Sequence, residues 1–504
     1  MNTNIKSNNN VLKNGKGLFV KRFNTSRNYY IYDVYSNEII KAKRIIFYIV
    51  GQFHMSIDQI YDNLKGKYSK TDVLNAYKEV RNSIKSGIFN SIHPKIYDIK
   101  ESESEVIYYF ENVGLKQLIL DLTNQCNLRC KYCVYSGKYQ YERIHQNRNM
   151  SKNCAKKAVD YFLKNRLKKG KSSITFYGGE PFLKFELLKY IVDYAKSKIN
   201  NIEFSLTTNG TLINDEIILY LVENDISLNV SLDGPKRIHD KNRIMINGDG
   251  SFDLIMKNLE RIKRIAPDYF TEKISYRSIN TPPYNSDEII DFFYNSEIFI
   301  PLRNPVTISS VATYRTSFIK ESDKHTAISQ YNKNVKRAFN RYKKALISDK
   351  YDKLNVEKEW FKDLISSIHF RNRFPLNKRF PALGQCIPGM HRLFVNPNGK
   401  FYMCEKVGEH YCIGDVDKGL DFKTISNFYK QWVRFFKNCS HCWALRLCKK
   451  CFNDIHRNGR LDSYRRDEFC KSNLKQLEML LSAYCEILEK NPNAFKNFNP
   501  IEYL

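Results

Sequence analysis

Three cysteines stand close together in this chain, at Cys126, Cys130 and Cys133. Separated by three residues and then two, their thiolates can hold three irons of a cubane [4Fe–4S] cluster on one loop. The fourth iron then lacks a protein ligand and becomes a binding site. A zinc loop is the alternative, but structural zinc usually takes four protein ligands and no local fourth is present. The spacing therefore favours an iron–sulfur cluster with one open iron.

A second group of cysteines lies nearer the carboxyl end. Short spacings between cysteines indicate metal rather than disulfides in a reducing compartment. A zinc ribbon could use four of them, but the five residues between Cys442 and Cys448 are fewer than the ~12–20 of ordinary ribbons. Cys154, Cys412 and Cys485 are left over and are expected to be small buried residues. The clustered seven are Cys386, Cys404, Cys439, Cys442, Cys448, Cys451 and Cys470.

Between the two cysteine groups, short apolar strands alternate with amphipathic helices. Six such units predict an α/β fold with a parallel sheet, a partial (β/α)6 barrel. Parallel sheets place their chemistry at the carboxyl ends of the strands, where the first cysteine loop follows the first strand. We expect strands at 118–122, 174–177, 203–207, 227–232, 274–279 and 306–311. We expect helices near 154–166, 184–198, 214–224, 253–265 and 287–294.

Three of these predicted strands end in polar or glycine-rich segments. The second ends at 178–181 (GGEP), where the glycines let another molecule approach and two backbone amides could bind a carboxylate. A plain strand-to-helix turn is the alternative for that segment alone. The third ends at 207–210 (TTNG), and the fourth at 231–235 (SLDGP) with Arg243 soon after.

Together, the three-cysteine loop and these strand ends resemble the radical S-adenosylmethionine (SAM) enzymes that modify peptides and mature sulfatases. In that family the open iron binds the amino and carboxylate groups of SAM, and an electron from the cluster yields a 5′-deoxyadenosyl radical. The resemblance implies a TIM-like radical SAM barrel. It also implies SAM contacts by Tyr132, Gly179, Ser231 and Arg243, because a guanidinium suits the SAM carboxylate. No residue stands out as the catalytic base.

The seven-cysteine group resembles the SPASM extension of such enzymes, which holds two auxiliary [4Fe–4S] clusters and would make three clusters in all. One gap differs, because two residues separate Cys448 from Cys451 where the usual motif has three. Auxiliary cluster I would have three cysteines, so Cys412 or another group completes it, or one iron is open to a substrate thiolate. The resemblance assigns Cys386, Cys404 and Cys451 to auxiliary cluster I. It assigns Cys439, Cys442, Cys448 and Cys470 to auxiliary cluster II.

The first hundred residues predict a separate winged-helix domain. Strand-like alternation runs around a turn at Ser36-Asn37, and capped helices follow at 56–64 and 70–85. The polar segment 100–105 (KESESE) is the expected linker. The predicted domains are 1–100 (winged helix, peptide recognition), 106–320 (radical SAM barrel), 321–378 (helical bridge) and 379–504 (SPASM domain with a carboxyl-terminal helix).

Charge and hydropathy limit the partners. Lysine and arginine number 82 against 53 acidic residues, a net charge of +29 in 504 residues. Because this surplus is spread along the whole chain, it favours an acidic peptide or protein over nucleic acid. No apolar run approaches the ~18 residues of a membrane span, and the amino terminus lacks a signal-peptide core. We therefore expect a cytoplasmic protein with no membrane association.

The resemblance predicts a radical SAM oxidoreductase that crosslinks a ribosomally made, cysteine-containing precursor peptide through thioethers, as in sactipeptide or ranthipeptide bacteriocin biosynthesis. The winged helix would bind the leader of that peptide by adding it as a strand to a sheet edge. A flavodoxin- or ferredoxin-type protein would supply electrons. The alternatives are an anaerobic sulfatase (formylglycine) maturase and a carbon–carbon crosslinking maturase. An iron–sulfur electron carrier or a DNA-binding sensor is the non-enzymatic alternative.

Overall fold

A computed structural model describes most of the chain, and it shows a mixed α/β protein built on a parallel sheet. The described residues are 17–97, 102–139, 143–167, 170–311, 316–350, 355–381, 386, 388–389, 391–457 and 459–499.

The amino-terminal unit consists of a three-stranded antiparallel sheet followed by three helices with a core of their own. Ser56 and Ser69 each cap a helix through a capping box, which explains why the two later helices begin where the sequence predicts. The strands are β1 (Val20–Asn24), β2 (Tyr29–Asp33) and β3 (Glu38–Ala42), and the helices are α1 (Arg44–Gln52), α2 (Ile57–Leu64) and α3 (Lys70–Lys85).

The segment expected to be a linker is largely helical. After β4 (Lys95–Tyr97), helix α4 (Glu103–Val113) begins at Ser102, whose side chain forms a capping box with Glu105. A Ser-x-x-Glu sequence is a helix start, so the linker prediction is wrong from Ser102 onward. Its first two residues lie outside the described residues.

Six parallel strands form the centre of the fold, and each lies within two residues of its predicted position. They are β5 (Gln117–Asp121), β6 (Ser172–Tyr177), β7 (Ile202–Thr208), β8 (Ile226–Ser231), β9 (Ile274–Asn280) and β10 (Val306–Ser310). The helices between them are α5 (Lys152–Asn165), α6 (Phe185–Lys198), α7 (Asp215–Glu223), α8 (Lys236–His239), α9 (Phe252–Ile265), α10 (Pro267–Glu272) and α11 (Ser286–Asn295).

The cysteine-rich region extends this sheet, which the sequence pattern does not predict. Strand β11 (Arg379–Pro381) pairs with β4. Strand β12 (Arg392–Val395) runs parallel to β5, and β13 (Phe401–Tyr402) runs antiparallel to β12. The sheet order is β10-β9-β8-β7-β6-β5-β12-β13. The cysteine-rich region is therefore hydrogen-bonded to the strand that leads into the first cysteine loop.

The remaining elements surround the second cysteine group. Helices α12 (Lys324–Ile347) and α13 (Asn355–His369) lie within the segment 321–378. The later helices are α14 (Phe422–Phe435), α15 (Phe452–Ile455) and α16 (Ser463–Lys490), and the short strands are β14 (Gly414–Asp415), β15 (Gly419–Leu420), β16 (His456–Arg457) and β17 (Arg460–Leu461). In the part of the chain that the structure describes, no helix is long and apolar enough to cross a membrane.

Hydrogen bonds from polar side chains hold the amino-terminal unit against the carboxyl-terminal half. Glu489 of α16 accepts hydrogen bonds from the side chains of Thr25, Asn28 and Tyr30, each at 2.8 Å. Arg446, between two cysteines of the second group, donates to the Tyr35 carbonyl at 2.9 Å. Charge-assisted bonds of this kind are the stronger ones, so the two parts are held at defined points.

Candidate active site

The first cysteine loop lies at the carboxyl end of β5, as expected. Its backbone pairs with the segment after α8: Arg129 N–H donates to the Ile244 carbonyl at 2.7 Å, and Lys131 N–H donates to that of Asn242 at 2.9 Å. This pairing brings Arg243 against the cysteines, with its Nη1 at 3.9 Å from Cys130 Sγ. The distant SLDGP-to-Arg243 segment and the cysteine loop therefore form one site.

Gly178 and Gly179 are required by the cysteine loop itself. A Cβ at Gly179 would lie 2.0 Å from the Gln125 carbonyl oxygen, and one at Gly178 would lie 2.6 Å from that of Thr123. The Gly179 amide donates to the Thr123 oxygen at 2.7 Å. The expectation that both glycine amides are available to a ligand carboxylate is therefore wrong for Gly179, because the loop already occupies that donor.

Glu180 joins the ends of β6 and β7 from a fully buried position. Its carboxylate accepts from Asn209 N–H at 2.7 Å and from the Thr208 hydroxyl at 2.8 Å. Burial raises the pKa of Glu180 to about 7, against these hydrogen bonds, which lower it. The Asn209 side chain in turn lies 3.7 Å from Cys126 Sγ, so the TTNG segment also reaches the cysteine loop.

A buried trio of side chains supports the site: Tyr132, Asp233 and Arg243. Arg243 Nε lies 3.1 Å from Asp233 Oδ2, and the Tyr132 hydroxyl donates to that same oxygen. The other Asp233 oxygen accepts from Ile279 N–H at 2.9 Å. Tyr132 and Arg243 are predicted from the sequence, whereas Asp233 is not, although the SLDGP segment contains it.

Ser231 ends β8, two residues before Asp233, and is half-buried at this edge of the sheet. His239 is fully buried beneath it and accepts from Asp233 N–H at 3.2 Å. Burial lowers the pKa of His239 to about 4, so the ring is neutral at ordinary pH. His239 therefore orients the Asp233 backbone and is not a proton donor to a ligand.

Four cysteines of the second group line one small cavity of about 30 Å³. These are Cys439, Cys442, Cys448 and Cys470, the set assigned by resemblance to auxiliary cluster II. Asn473 Nδ2 lies 3.2 Å from Cys448 Sγ, and the buried Lys450 also lines the cavity. Burial raises the pKa of Cys442 to about 12, so metal binding here must displace protons.

The three cysteines assigned to auxiliary cluster I also lie near one another. Burial, then Asp454, and then the Cys404 and Cys386 thiols raise the pKa of Cys451 to about 12. Cys412 is exposed, and its thiol donates to the Gly414 carbonyl at 3.2 Å. The expectation of burial is therefore wrong for Cys412, whereas Cys485 is buried.

The donor sets fit iron–sulfur clusters. Among the described residues, no group of three or more His, Cys, Asp or Glu side chains is drawn together closely enough for a single metal ion. A cubane spreads its thiolates over separate corners, more widely than one ion does. Three thiols beside Arg243 suit a cluster with an open iron and a carboxylate-bearing ligand, and the four-thiol cavity suits a fully ligated cluster.

Comparison with known proteins defines the class. Residues 120–293 match the sequence model of the Radical SAM superfamily. This segment is similar to the radical SAM superfamily, and the similarity implies a [4Fe–4S] cluster and SAM. The fold agrees, since a structure of native anSMEcpe with bound AdoMet superposes with a TM-score of 0.55 at 19% identity, covering 76% of this chain and 98% of that one.

Two of the similar curated proteins are enzymes of different kinds, and a third is uncharacterized. The chain is 27% identical over 262 residues to the radical SAM cyclopropyl synthase TigE of Paramaledivibacter caminithermalis, covering 48% of this chain and 54% of the relative. It is 25% identical over 354 residues to a cysteine-type anaerobic sulfatase-maturating enzyme of Clostridium novyi, covering 67% and 87%. An uncharacterized protein of Methanocaldococcus jannaschii is 41% identical over 142 residues, 27% of this chain and 45% of that protein. The chain thus spans about half the length of the first and third of these relatives.

Proposed function

We propose that the protein is a radical SAM maturase that forms thioether crosslinks in a ribosomally made, cysteine-containing precursor peptide. The observation that carries the proposal is the combination of three separate cysteine sets with an amino-terminal sheet unit docked beside one of them. A hydrogen-abstracting site, electron-handling sites and a peptide-binding element would then belong to one chain.

The sheet of the amino-terminal unit supports peptide binding. Among the described strands, β3 pairs with β2 alone, so its outer edge carries backbone groups that a peptide strand could meet. The exposed Lys41 and Lys43 at the end of this strand favour an acidic peptide. Arg446 joins this unit to the four-cysteine loop, which keeps a bound leader close to the cysteine-rich region.

The residues at the cysteine loop would bind and orient SAM. Arg243, held by Asp233, is placed for the SAM carboxylate, while Ser231, Tyr132 and the Gly179 segment border the same site. When bound, the cluster and SAM supply the carbon radical that removes a hydrogen atom from the peptide. Burial of the Tyr132–Asp233–Arg243 trio limits the access of water to that step.

The cysteines assigned to auxiliary cluster I support binding of the substrate thiol at that cluster. Cys386, Cys404 and Cys451 supply one thiol fewer than a fully ligated cubane needs, and a peptide thiolate has the chemistry for the remaining position. A thioether forms when that sulfur bonds to the carbon that has lost hydrogen. Each linkage removes two hydrogen atoms from the peptide, and the electron left over goes to an auxiliary cluster.

The test uses the reconstituted enzyme under anaerobic conditions with SAM, reductant and any short cysteine-rich peptide found to be encoded beside its gene. We expect 5′-deoxyadenosine, a peptide lighter by two hydrogen atoms per linkage, and cysteines that no longer react with iodoacetamide. A matched peptide with serine for cysteine should remain uncrosslinked. An unmodified cysteine peptide, from enzyme that loads all clusters and cleaves SAM, would contradict the proposal.

The second candidate is a formylglycine-forming sulfatase maturase, favoured by the 87% coverage of the Clostridium novyi relative. The products separate the two, because conversion of cysteine to formylglycine expels the sulfur whereas a thioether retains it. A carbon–carbon crosslink also removes two hydrogen atoms but leaves the thiol free to react with iodoacetamide. Mass spectrometry with and without alkylation therefore distinguishes all three chemistries.

A further inference from the structure

Arg143 lies between the barrel and the cysteine-rich region, with 4% of its surface exposed. Its guanidinium carbon lies 4.7 Å from the ring centre of Phe394, 5.2 Å from that of Tyr135 and 6.0 Å from that of Tyr177. Its Nη2 donates to the backbone carbonyl of Glu405. Arginine stays protonated in proteins, so the chain keeps a permanent cation where burying charge is costly.

The neighbours of Arg143 belong to two different cysteine sites. Tyr135 follows Cys133 by two residues, and its N–H lies 3.4 Å from the Cys133 sulfur. Glu405 directly follows Cys404 in the chain. One buried side chain therefore contacts the first cysteine loop on one side and the Cys404 turn on the other.

The charge of Arg143 also acts on the buried groups at the end of β5. Burial raises the pKa of Asp121, at the end of β5, to about 7, and Arg143 is the strongest influence that opposes this rise. Asp121 accepts from the Tyr135 hydroxyl at 2.9 Å, so the carboxylate, the phenol and the cation form one buried set.

Packing alone does not explain this arrangement. An apolar side chain would fill the space between Tyr135 and Phe394 without a desolvation cost, whereas arginine gains cation–π contacts and a hydrogen bond to offset that cost. The planar fork of arginine allows ring stacking and carbonyl bonding at once, which lysine does not provide.

We propose that Arg143 is a positioning residue that ties the first cysteine loop to the Cys404 turn of auxiliary site I and supplies one fixed positive charge to both. The inference rests on the cluster assignments of the proposed function but not on its peptide substrate. A nearby cation favours the reduced, more negative form of a cluster, so Arg143 raises the reduction potentials at both sites.

The test compares wild type, Arg143→Met, Arg143→Lys and the control Arg261→Met, whose guanidinium pairs with Asp215 on the outer helices. Each holoenzyme is checked for iron and sulfide content. Hydrogen exchange is then followed by mass spectrometry in peptides covering 121–136 and 401–410. Reduction potentials come from redox titrations monitored by electron paramagnetic resonance, and addition of SAM identifies the signal of the first cluster.

We expect Arg143→Met to speed exchange in both segments by about tenfold, as for loss of a contact worth 1–2 kcal/mol, and to lower both potentials. Arg143→Lys should speed exchange similarly but keep the potentials nearer to wild type, because the charge remains. Arg261→Met should change neither quantity. If Arg143→Met fails to load its clusters, Arg143→Lys decides the question.

Unchanged exchange in both segments for either fully loaded Arg143 variant would overturn the proposal, as would equal effects of Arg261→Met. Hydrogen exchange that becomes faster in only one segment would also overturn the proposal, since Arg143 is proposed to hold both segments. No peptide enters these measurements, so failure of the thioether chemistry would leave their outcome unaffected.

Discussion

Asp233 and Arg243 form a buried ion pair at 3.1 Å, with 1% and 9% of their side chains exposed. The carboxylate also accepts from the Tyr132 hydroxyl and from Ile279 N–H. Arg243 is therefore oriented before any ligand arrives, which reduces the ordering cost of binding a carboxylate. The account of SAM binding depends on this pair.

Removing the carboxylate should leave a buried cation unpaired. For Asp233→Asn we expect unfolding free energy to fall by about 3–5 kcal/mol and SAM to bind at least tenfold more weakly. Denaturant unfolding and equilibrium binding of SAM to the holoenzyme measure the two effects. Glu203→Gln, which breaks the exposed pair with Lys171, should cost less than about 1 kcal/mol. Unchanged SAM affinity in Asp233→Asn would contradict the role assigned to the pair.

A methyl group at Gly179 should displace the cysteine loop. Its Cβ would lie 2.0 Å from the Gln125 oxygen, so Gly179→Ala should destabilise the fold by ~1–3 kcal/mol and reduce iron bound at the first site. Gly66→Ala is the matched control, because a Cβ there meets nothing within 4 Å. Thermal unfolding and iron content measure the difference. Full iron loading in Gly179→Ala would show that the contact is not required.

Glu180 should make stability depend on pH. Its folded pKa of about 7 lies above the ordinary pKa of 4.5 for a glutamate, so the folded state binds more protons between these values. Stability from this group is then greatest below pH 4.5 and falls as pH rises toward 7, by about 3 kcal/mol in total. Glu180→Gln should lose this dependence, as measured by denaturant unfolding between pH 5.5 and 7.5. A parallel pH profile for variant and wild type would refute the assignment.

Arg446 should hold the amino-terminal unit in place. It donates to the carbonyls of Tyr35, Phe374 and Asn372, at 2.9, 2.7 and 3.1 Å. Of these three bonds, only the one to Tyr35 reaches the amino-terminal unit, so Arg446→Met should loosen this docking by about 1 kcal/mol, taking about 1 kcal/mol per bond. Limited proteolysis should then cleave the unit faster, while Arg264→Met on the exposed side of α9 should behave as wild type. Equal cleavage rates in both variants would show that Arg446 does not hold the amino-terminal unit in place.

The central strands were predictable because each is a short segment with buried apolar residues, most of them alternating with less buried ones, and a helical pattern follows it. Their ends carry the motifs to which SAM binding is assigned by resemblance, so the candidate site could also be outlined from sequence. Strands β12 and β13 were missed because four and two residues are too few for a periodic pattern. Helix α4 was mistaken for a linker because its first turn is acidic, although acidic residues favour helix starts. Asp233 and Arg143 act through contacts with residues distant in the chain, which no local pattern reveals.

The central claim is that the first cysteine set is needed for SAM cleavage and the four-cysteine set for crosslink formation. One assay tests this claim most directly. Cys126→Ala, Cys442→Ala and the control Cys485→Ala, whose thiol is buried outside all three sets, are incubated anaerobically with SAM, reductant and the precursor peptide. 5′-Deoxyadenosine and crosslinked peptide are quantified in the same samples. The account predicts neither product from Cys126→Ala, 5′-deoxyadenosine without crosslinked peptide from Cys442→Ala, and both products from Cys485→Ala. Crosslinked peptide from Cys442→Ala, or SAM cleavage by Cys126→Ala, would contradict it.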